Sequence, residues 1–250
     1  MIELLLIGIG AGNPDHLTGQ AIKALNEAHL ILIPQKGAHK ADLADLRWQL
    51  CRKFLVNPAT KVTGFDLPIR DPAAPDYIAG VKDWHDAIAD RWRAALDQHG
   101  LTQGKVALLV WGDPSLYDSS LRIAQRLGAS VRVIPGLTSL QLLTAAHGIA
   151  LNTLADPFLV TTGRKLKEHG MPAGIETVAV MLDRENSFNT LDPTGLFIYW
   201  GAYLGMPTEI KLAGPLQQTS PLIQAARAAA RAEHGWIMDV YLIRRTRTDQ

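Results

Sequence analysis

Three short stretches of the chain carry the residues best suited to holding a ligand, and each follows an apolar run. The first is "LLIGIGAGNPDHLT", Leu5 to Thr18, with Gly8, Gly10 and Gly12. Glycines let a backbone bend sharply and come close to whatever it binds. A dinucleotide fingerprint would need a third glycine in G-x-G-x-x-G spacing, yet Asn13 stands there and Pro14 follows. The second stretch is "WGDPSLYDSS", Trp111 to Ser120. Gly112 permits a tight turn, and Pro114 biases Asp113 towards an extended backbone that exposes its carboxylate. The third is "VIPGLTSLQ", Val133 to Gln141, where Thr138 and Gln141 have the T-x-x-Q spacing of a capping box. Backbone N–H groups at such a helix start favour a carboxylate or hydroxyl. The same residue types end strands in any α/β protein, so the weight lies in the three together. They suit a small zwitterionic nucleoside better than a dinucleotide, because no acidic residue closes the second strand in "ILIPQKG" to grip a ribose.

Other chemistries lack their signatures. There is no Walker loop, no nucleophile elbow and no Ser-His-Asp arrangement. The eight histidines show neither H-x-E nor H-E-x-x-H spacing, and no metal site is expected.

The elements that must position these loops follow from periodicity. Apolar runs alternate with helically spaced segments, the pattern of parallel strands joined by crossover helices. Strands are expected at Glu3–Ile9, Leu30–Pro34, Lys105–Trp111 and Val131–Pro135, with a helix after the opening loop and another at Thr138–His147. Trp84 and Trp92, in a segment with Val81, Ile88 and Leu96 at steps of three and four, read as core packing. Val56 to Asp76 carries four prolines and reads as an irregular loop or lid. "GIALNTLADP" is a turn-rich joint, which places a boundary between an N-terminal α/β domain, residues 1–150, and a C-terminal one, residues 151–250. Strands there are expected at Phe158–Thr162, Thr177–Leu182, Gly195–Trp200 and Trp236–Arg244, with a helix at Leu222–Glu233.

Composition narrows the partners. A net charge of +1 over 250 residues argues against the broad basic face that drives nucleic-acid binding. The single cysteine, Cys51, sits among Leu43, Leu46, Leu50 and Phe54 at helical spacing; it reads as structural and fits a reducing cytoplasm. The opening "MIELLLIGIG" lacks a basic n-region and is much shorter than the roughly 20 apolar residues of a membrane span.

The three loops, in order, resemble those of the tetrapyrrole (corrin/porphyrin) methyltransferase superfamily, whose patterns are G-x-G-P-G-D-x-x-x-L-T, G-D-P-x-x-[FY] and P-G-[IVL]-[TS]-[SA]. "FIYWGAYLGMPTEI" and "GWIMDVYLIRR" extend the likeness to a cobalamin-pathway branch that couples methylation of one ring carbon to loss of an acetyl group as acetate. The resemblance implies two α/β domains with S-adenosyl-L-methionine in the cleft between them, S-adenosyl-L-homocysteine as product, a tetrapyrrole substrate and a homodimer. It also implies residue roles. Pro14, Trp111, Gly112, Asp113, Leu116, Thr138, Ser139, Trp200, Gly205 and Ala213 would contact the cofactor, with Trp200 covering the adenine. Gly10, Arg164, Lys165 and Lys167 would meet the macrocycle and its carboxylates. Asp15, His16, Tyr117, Tyr199 and Tyr203 are candidates for activating water in the deacylation. Two positions depart from the pattern: Ala11 replaces the usual proline and Asn13 the usual aspartate. The competing readings are a methyltransferase for another precorrin carbon, for RNA or for protein, a nicotinamide oxidoreductase, and a non-catalytic binding module.

Overall fold

The computed structural model describes residues 1–35, 41–70 and 76–246. The chain divides into two compact units, Met1–Thr138 and Ser139–Gln250.

In the first unit the elements run β1 (Ile2–Gly8), α1 (Gly19–Glu27), β2 (Leu30–Gln35), α2 (Ala41–Phe54), β3 (Lys61–Asp66), α3 (Tyr77–Gln98), β4 (Gly104–Val110), α4 (Ser120–Ala124) and β5 (Ser130–Ile134). The strands form one parallel sheet in the order β3-β2-β4-β1-β5. Parallel strands covered on both faces need no polar alternation, which is why β1, β2 and β4 read as unbroken apolar runs. Leu4, Leu6, Leu32, Val106 and Leu108 face one way, against Ile88, Trp92 and Leu96 of α3. Leu5, Ile7, Ile31, Ile33, Ala107 and Leu109 face the other, against Ala21 and Leu25 of α1 and Leu50 and Cys51 of α2. Burial raises the Cys51 thiol pKa to about 11, which keeps it an unreactive core group.

The span Val56–Asp76, expected as an irregular loop, contains the edge strand β3. Its residues alternate weakly and include Gly64, so the apolar signal is faint. A Cβ on Gly64 would sit 2.6 Å from the end of the flexible, exposed Gln35 side chain on β2. Pro58 and Pro68 lie outside the strand, while Pro72 and Pro75 fall outside the described residues.

The second unit begins with α5 (Ser139–His147), followed by β6 (Phe158–Thr162), α6 (Gly163–His169), β7 (Thr177–Met181), β8 (Leu196–Ala202), β9 (Ile210–Pro215), α7 (Leu216–His234) and β10 (Asp239–Arg245). Its sheet has the order β6-β7-β10-β8-β9, with β6 and β7 parallel and the remaining pairs antiparallel. Val178, Val180, Ile198, Trp200, Tyr241 and Ile243 pack on one face with Leu166 of α6 and Leu216, Ile223 and Ala230 of α7. α5 lies against β8 and β10, and a ring nitrogen of His147 is 3.0 Å from the Trp200 carbonyl oxygen. That packing places α5 in the second unit, so the division falls at Thr138/Ser139 and not near Leu151. β9 was not anticipated, and α7 starts at Leu216, six residues ahead of the expected Leu222, with Pro221 inside it.

Candidate functional site

The carboxyl ends of β1, β4 and β5 are tied together by backbone. Gly10 and Gly112 form an antiparallel bridge, Gly112 N–H donating to Gly10 O at 2.8 Å and Gly10 N–H to Gly112 O at 3.2 Å. Both glycines have left-handed backbones, φ +70° and +67°. Asp113 supplies the second tie: its Oδ2 accepts from Gly136 N–H at 2.8 Å, and its Oδ1 accepts from the N–H and hydroxyl of Ser115. Burial alone would raise the Asp113 carboxyl pKa, but the hydrogen bonds from Ser115 and Gly136 outweigh it and hold the value below the ordinary carboxylate range.

The close approach of these loops requires glycine. A Cβ on Gly136 would stand 2.4 Å from Gly112 O and 2.6 Å from the Gly8 carbonyl carbon; one on Gly8 would stand 2.6 Å from Gly136 N. The loops that carry Gly10, Asp113 and Thr138 are therefore one cluster. The roles of two residues differ from expectation. Gly10, expected to meet substrate, is buried with its N–H and C=O both committed to Gly112. Asp113 presents no bare carboxylate: it fixes the second loop to the third.

In the opening loop, Pro14–His16 form one 3-10 turn. Asn13 caps it, its Oδ1 accepting from Asp15 N–H at 2.9 Å, so asparagine does locally what the family's aspartate could. Asp15 is exposed and pairs with Lys53 at 3.2 Å. His16 lies beside Gly10, whose missing side chain leaves it room. On the second loop, Trp111 and Leu116 are half-buried, and Tyr117 is 46% exposed on a left-handed backbone, φ 50°. On the third, the Ser139 hydroxyl is buried with no hydrogen-bond partner among the described residues.

Several expected residues of the second unit are structural. Trp200 is fully buried, and its indole N–H donates to Asp239 at 2.8 Å, so its ring belongs to this unit's core and offers no face to an adenine. Tyr203 is also buried, with its hydroxyl donating to Trp236 O, and burial pushes that hydroxyl pKa up. Tyr199, on the opposite sheet face to Trp200, packs by its edge on His147 and under the Arg244 guanidinium. Gly205 N–H donates to Glu209, and Ala213 is exposed on edge strand β9. Arg164, Lys165 and Lys167 are exposed on α6 but balanced by acids: Lys165 meets Glu168 and Lys167 meets Glu185, each at 2.6 Å, with Arg164 3.9 Å from Glu168. They make no bare cationic patch.

Sequence reading missed the polar centre of this unit. Asp183 accepts from Ser187 and from the Tyr241 hydroxyl, Arg227 donates to the Asp183 carbonyl, and Arg227 Nε lies 3.0 Å from Asp239. "DRENS" resembles an ordinary surface turn; no local signal marks its aspartate as buried. Among the described residues there is no cluster of three or more His, Cys, Asp or Glu that could hold a metal ion.

Comparison with known proteins gives concordant results. The family profile described as Tetrapyrrole (Corrin/Porphyrin) Methylases matches residues 3–219. A Sinorhizobium sp. protein named precorrin-6A synthase (deacetylating) is 44% identical over 251 residues, covering 98% of this chain and 96% of that one. Among solved structures, a cobalamin-synthesis-related protein (CobF) from Corynebacterium diphtheriae superposes with TM-score 0.83 at 34% identity, covering 99% of this chain and all of that one. Uroporphyrin-III C-methyltransferase from Thermus thermophilus, complexed with S-adenosylhomocysteine, shares the fold at TM-score 0.57 and 17% identity, with 96% of each chain covered.

Proposed function

The chain belongs to the tetrapyrrole (corrin/porphyrin) methylases, and on that footing we propose that it methylates precorrin-5 at C1 and releases the acetyl group as acetate, giving precorrin-6A. It is an S-adenosylmethionine-dependent methyltransferase acting on a small-molecule tetrapyrrole of cobalamin biosynthesis. The relative named for the deacetylating reaction spans nearly all of both chains, which favours this carbon over another precorrin position.

The observation that carries the reading is the convergence of the three strand-end loops. The methyl donor, when bound, supplies an electrophilic methyl group on a sulfonium. The residues present fit such a molecule: three loops drawn together by glycine-to-backbone contact, and on the third loop a buried Ser139 hydroxyl with no hydrogen-bond partner among the described residues. Trp111, Gly112, Leu116, Thr138 and Ser139 are the proposed contacts, with Pro14 beside them and Asp113 holding the loops in register. Methyl transfer is an in-line displacement, so the protein's task is placement and alignment, and no covalent nucleophile is required of it. Deacylation needs a base for water and a donor to the developing oxyanion. Of the five candidates named from sequence, Asp15 and Tyr117 are exposed on loops, whereas Tyr203 is held by Trp236.

The homodimer and a cytoplasmic location are part of the same proposal. The dimer rests on the family habit; the cytoplasm, and the lack of nucleic-acid or membrane partners, rest on the near-neutral charge and the lone buried cysteine. Among the described residues no helix is long and apolar enough to cross a membrane.

The test is calorimetric titration with S-adenosylhomocysteine and with NADH, followed by incubation with precorrin-5 and labelled methyl donor. Binding of the homocysteine product alone, with methyl transfer and acetate appearing together, is expected. Binding of NADH alone restores the oxidoreductase reading, and methyl transfer without acetate moves the enzyme to another ring carbon.

A further inference from the structure

Within the first unit, a cavity of about 190 Å³ opens beyond the carboxyl ends of β2, β3 and β4, bounded by Pro34, Phe65 and Val110. In parallel α/β sheets this is where ligands sit. Among its described lining residues Arg47 is the single cation and Asp118 the single carboxylate; Trp84, Trp92 and Trp111 form aromatic walls and Ser120 adds a hydroxyl. None of the roles drawn above uses Arg47, Asp118 or Trp92.

Three observations indicate what the cavity accepts. First, Arg47 is anchored, its Nε donating to Leu109 O at 2.8 Å, so the plane of its five-donor fork is set by the end of β4. Burial lowers its pKa to about 10, and Asp118 counters that effect. Among the described lining residues the formal charges therefore balance, which suits a neutral carbonyl better than a free anion. Second, the indole N–H of Trp92 is buried with no hydrogen-bond partner among the described residues, whereas that of Trp84 donates to Pro68 O at 2.7 Å. An unpaired buried donor calls for an acceptor. Third, liquid water takes about 30 Å³ per molecule, so the volume admits roughly six heavy atoms: an acetyl group of three, with space for water beside it.

We propose that this cavity is the acyl pocket of the enzyme, receiving the substrate's acetyl group, with Arg47 donating to the acyl oxygen and Asp118 acting as base towards the attacking water. The assignment rests on the deacetylating reading above. Water's oxygen bonds to the acyl carbon while its proton passes to the Asp118 carboxylate. The bond from acyl carbon to ring carbon then breaks; the acyl part leaves as acetic acid, and the electron pair stays on the ring carbon, where it forms the new bond to the methyl group. Asp118 is held for this by Ser120, whose N–H donates to Oδ1 at 2.6 Å.

The test uses the full chain in three forms: wild type, Asp118→Asn, which keeps an acceptor for Ser120, and Ala44→Leu, which fills the cavity from α2. Acetate release and S-adenosylhomocysteine affinity are measured for each, and tryptophan emission is titrated with acetamide as a neutral acyl probe. Saturable quenching by acetamide is expected in wild type and its loss in Ala44→Leu. Both variants should release acetate at least about 100-fold more slowly, the scale of losing one group that serves an oxyanion or its water, while affinity for S-adenosylhomocysteine stays within threefold. Acetate released by both variants at the wild-type rate, or quenching unchanged by Ala44→Leu, overturns the pocket alone. No acetate from wild type overturns the deacetylating reading and the pocket with it.

Discussion

Replacing Gly136 by alanine tests whether the strand-end cluster is as tightly built as its geometry requires. The new methyl carbon would lie 2.4 Å from Gly112 O, 2.6 Å from the Gly8 carbonyl carbon and 2.8 Å from Gly8 Cα. All three are backbone atoms, so no flexible side chain can yield; the ends of β1 and β4 must retreat by roughly an ångström to restore ordinary contact. Gly136 does not have a left-handed backbone, so the penalty is steric and not conformational. Overpacking of this kind costs about 1–3 kcal/mol. Movement of residue 136 also strains its N–H bond to the Asp113 carboxylate, and hydrogen bonds to charged groups contribute about 1.5–3 kcal/mol. A loss of roughly 3–6 kcal/mol is expected in urea denaturation, a large share of the 5–15 kcal/mol of an ordinary domain. S-adenosylhomocysteine affinity should fall at least tenfold, about 1.4 kcal/mol. Gly19→Ala serves as control: nothing lies within 4 Å of its added carbon, and its backbone is not left-handed, so stability should hold or rise by about 0.4–1 kcal/mol. Gly136→Ala with stability within 0.5 kcal/mol of wild type and unaltered affinity would refute the account of these loops.

Asp113→Asn keeps the shape but removes the charge and one acceptor; about 2–4 kcal/mol of stability should be lost at pH 7, together with cofactor affinity. Because the folded Asp113 pKa is depressed below the unfolded value of about 3.9, its contribution is complete above that pH and disappears as pH falls through the folded value, so wild-type and variant stabilities should converge only under acid conditions below about pH 4. Asp239→Ala leaves Arg227 buried without its ion partner and should cost about 3–5 kcal/mol by chemical denaturation. Trp200→Phe removes the indole donor to Asp239; a loss of about 1–3 kcal/mol is expected with S-adenosylhomocysteine affinity unchanged, and a large drop in affinity would restore Trp200 as a cofactor contact.

The first unit was legible because its signals are local. Buried parallel strands such as Leu4–Ile7 are continuous apolar runs, and glycines at strand ends mark the turns. What escaped was whatever depends on partners distant in sequence. The weakly alternating β3 is a strand because β2 offers it an edge, and α5 belongs to the second unit because His147 and Leu143 meet β8. For the site, residue types indicated which loops to watch but not which atoms are already engaged. Gly10 and Asp113 stand out by residue type, yet their polar groups are turned on Gly112, Gly136 and Ser115. Trp200, expected at a strand end over the adenine, and Tyr203, expected on a loop, are both enclosed by a sheet and two helices. Arg47 and Asp118, 71 positions apart in the chain by their numbering, share a cavity that no spacing rule reveals.

Hydrogen exchange of the backbone amides, with and without saturating S-adenosylhomocysteine, tests the claim on which the functional account stands. Slowed exchange is predicted in three separate peptides at once, covering residues 8–18, 111–120 and 135–141, because the three loops form one cluster, here proposed to hold one ligand. Slowing confined to a single one of these segments, or located elsewhere in the chain, would contradict it.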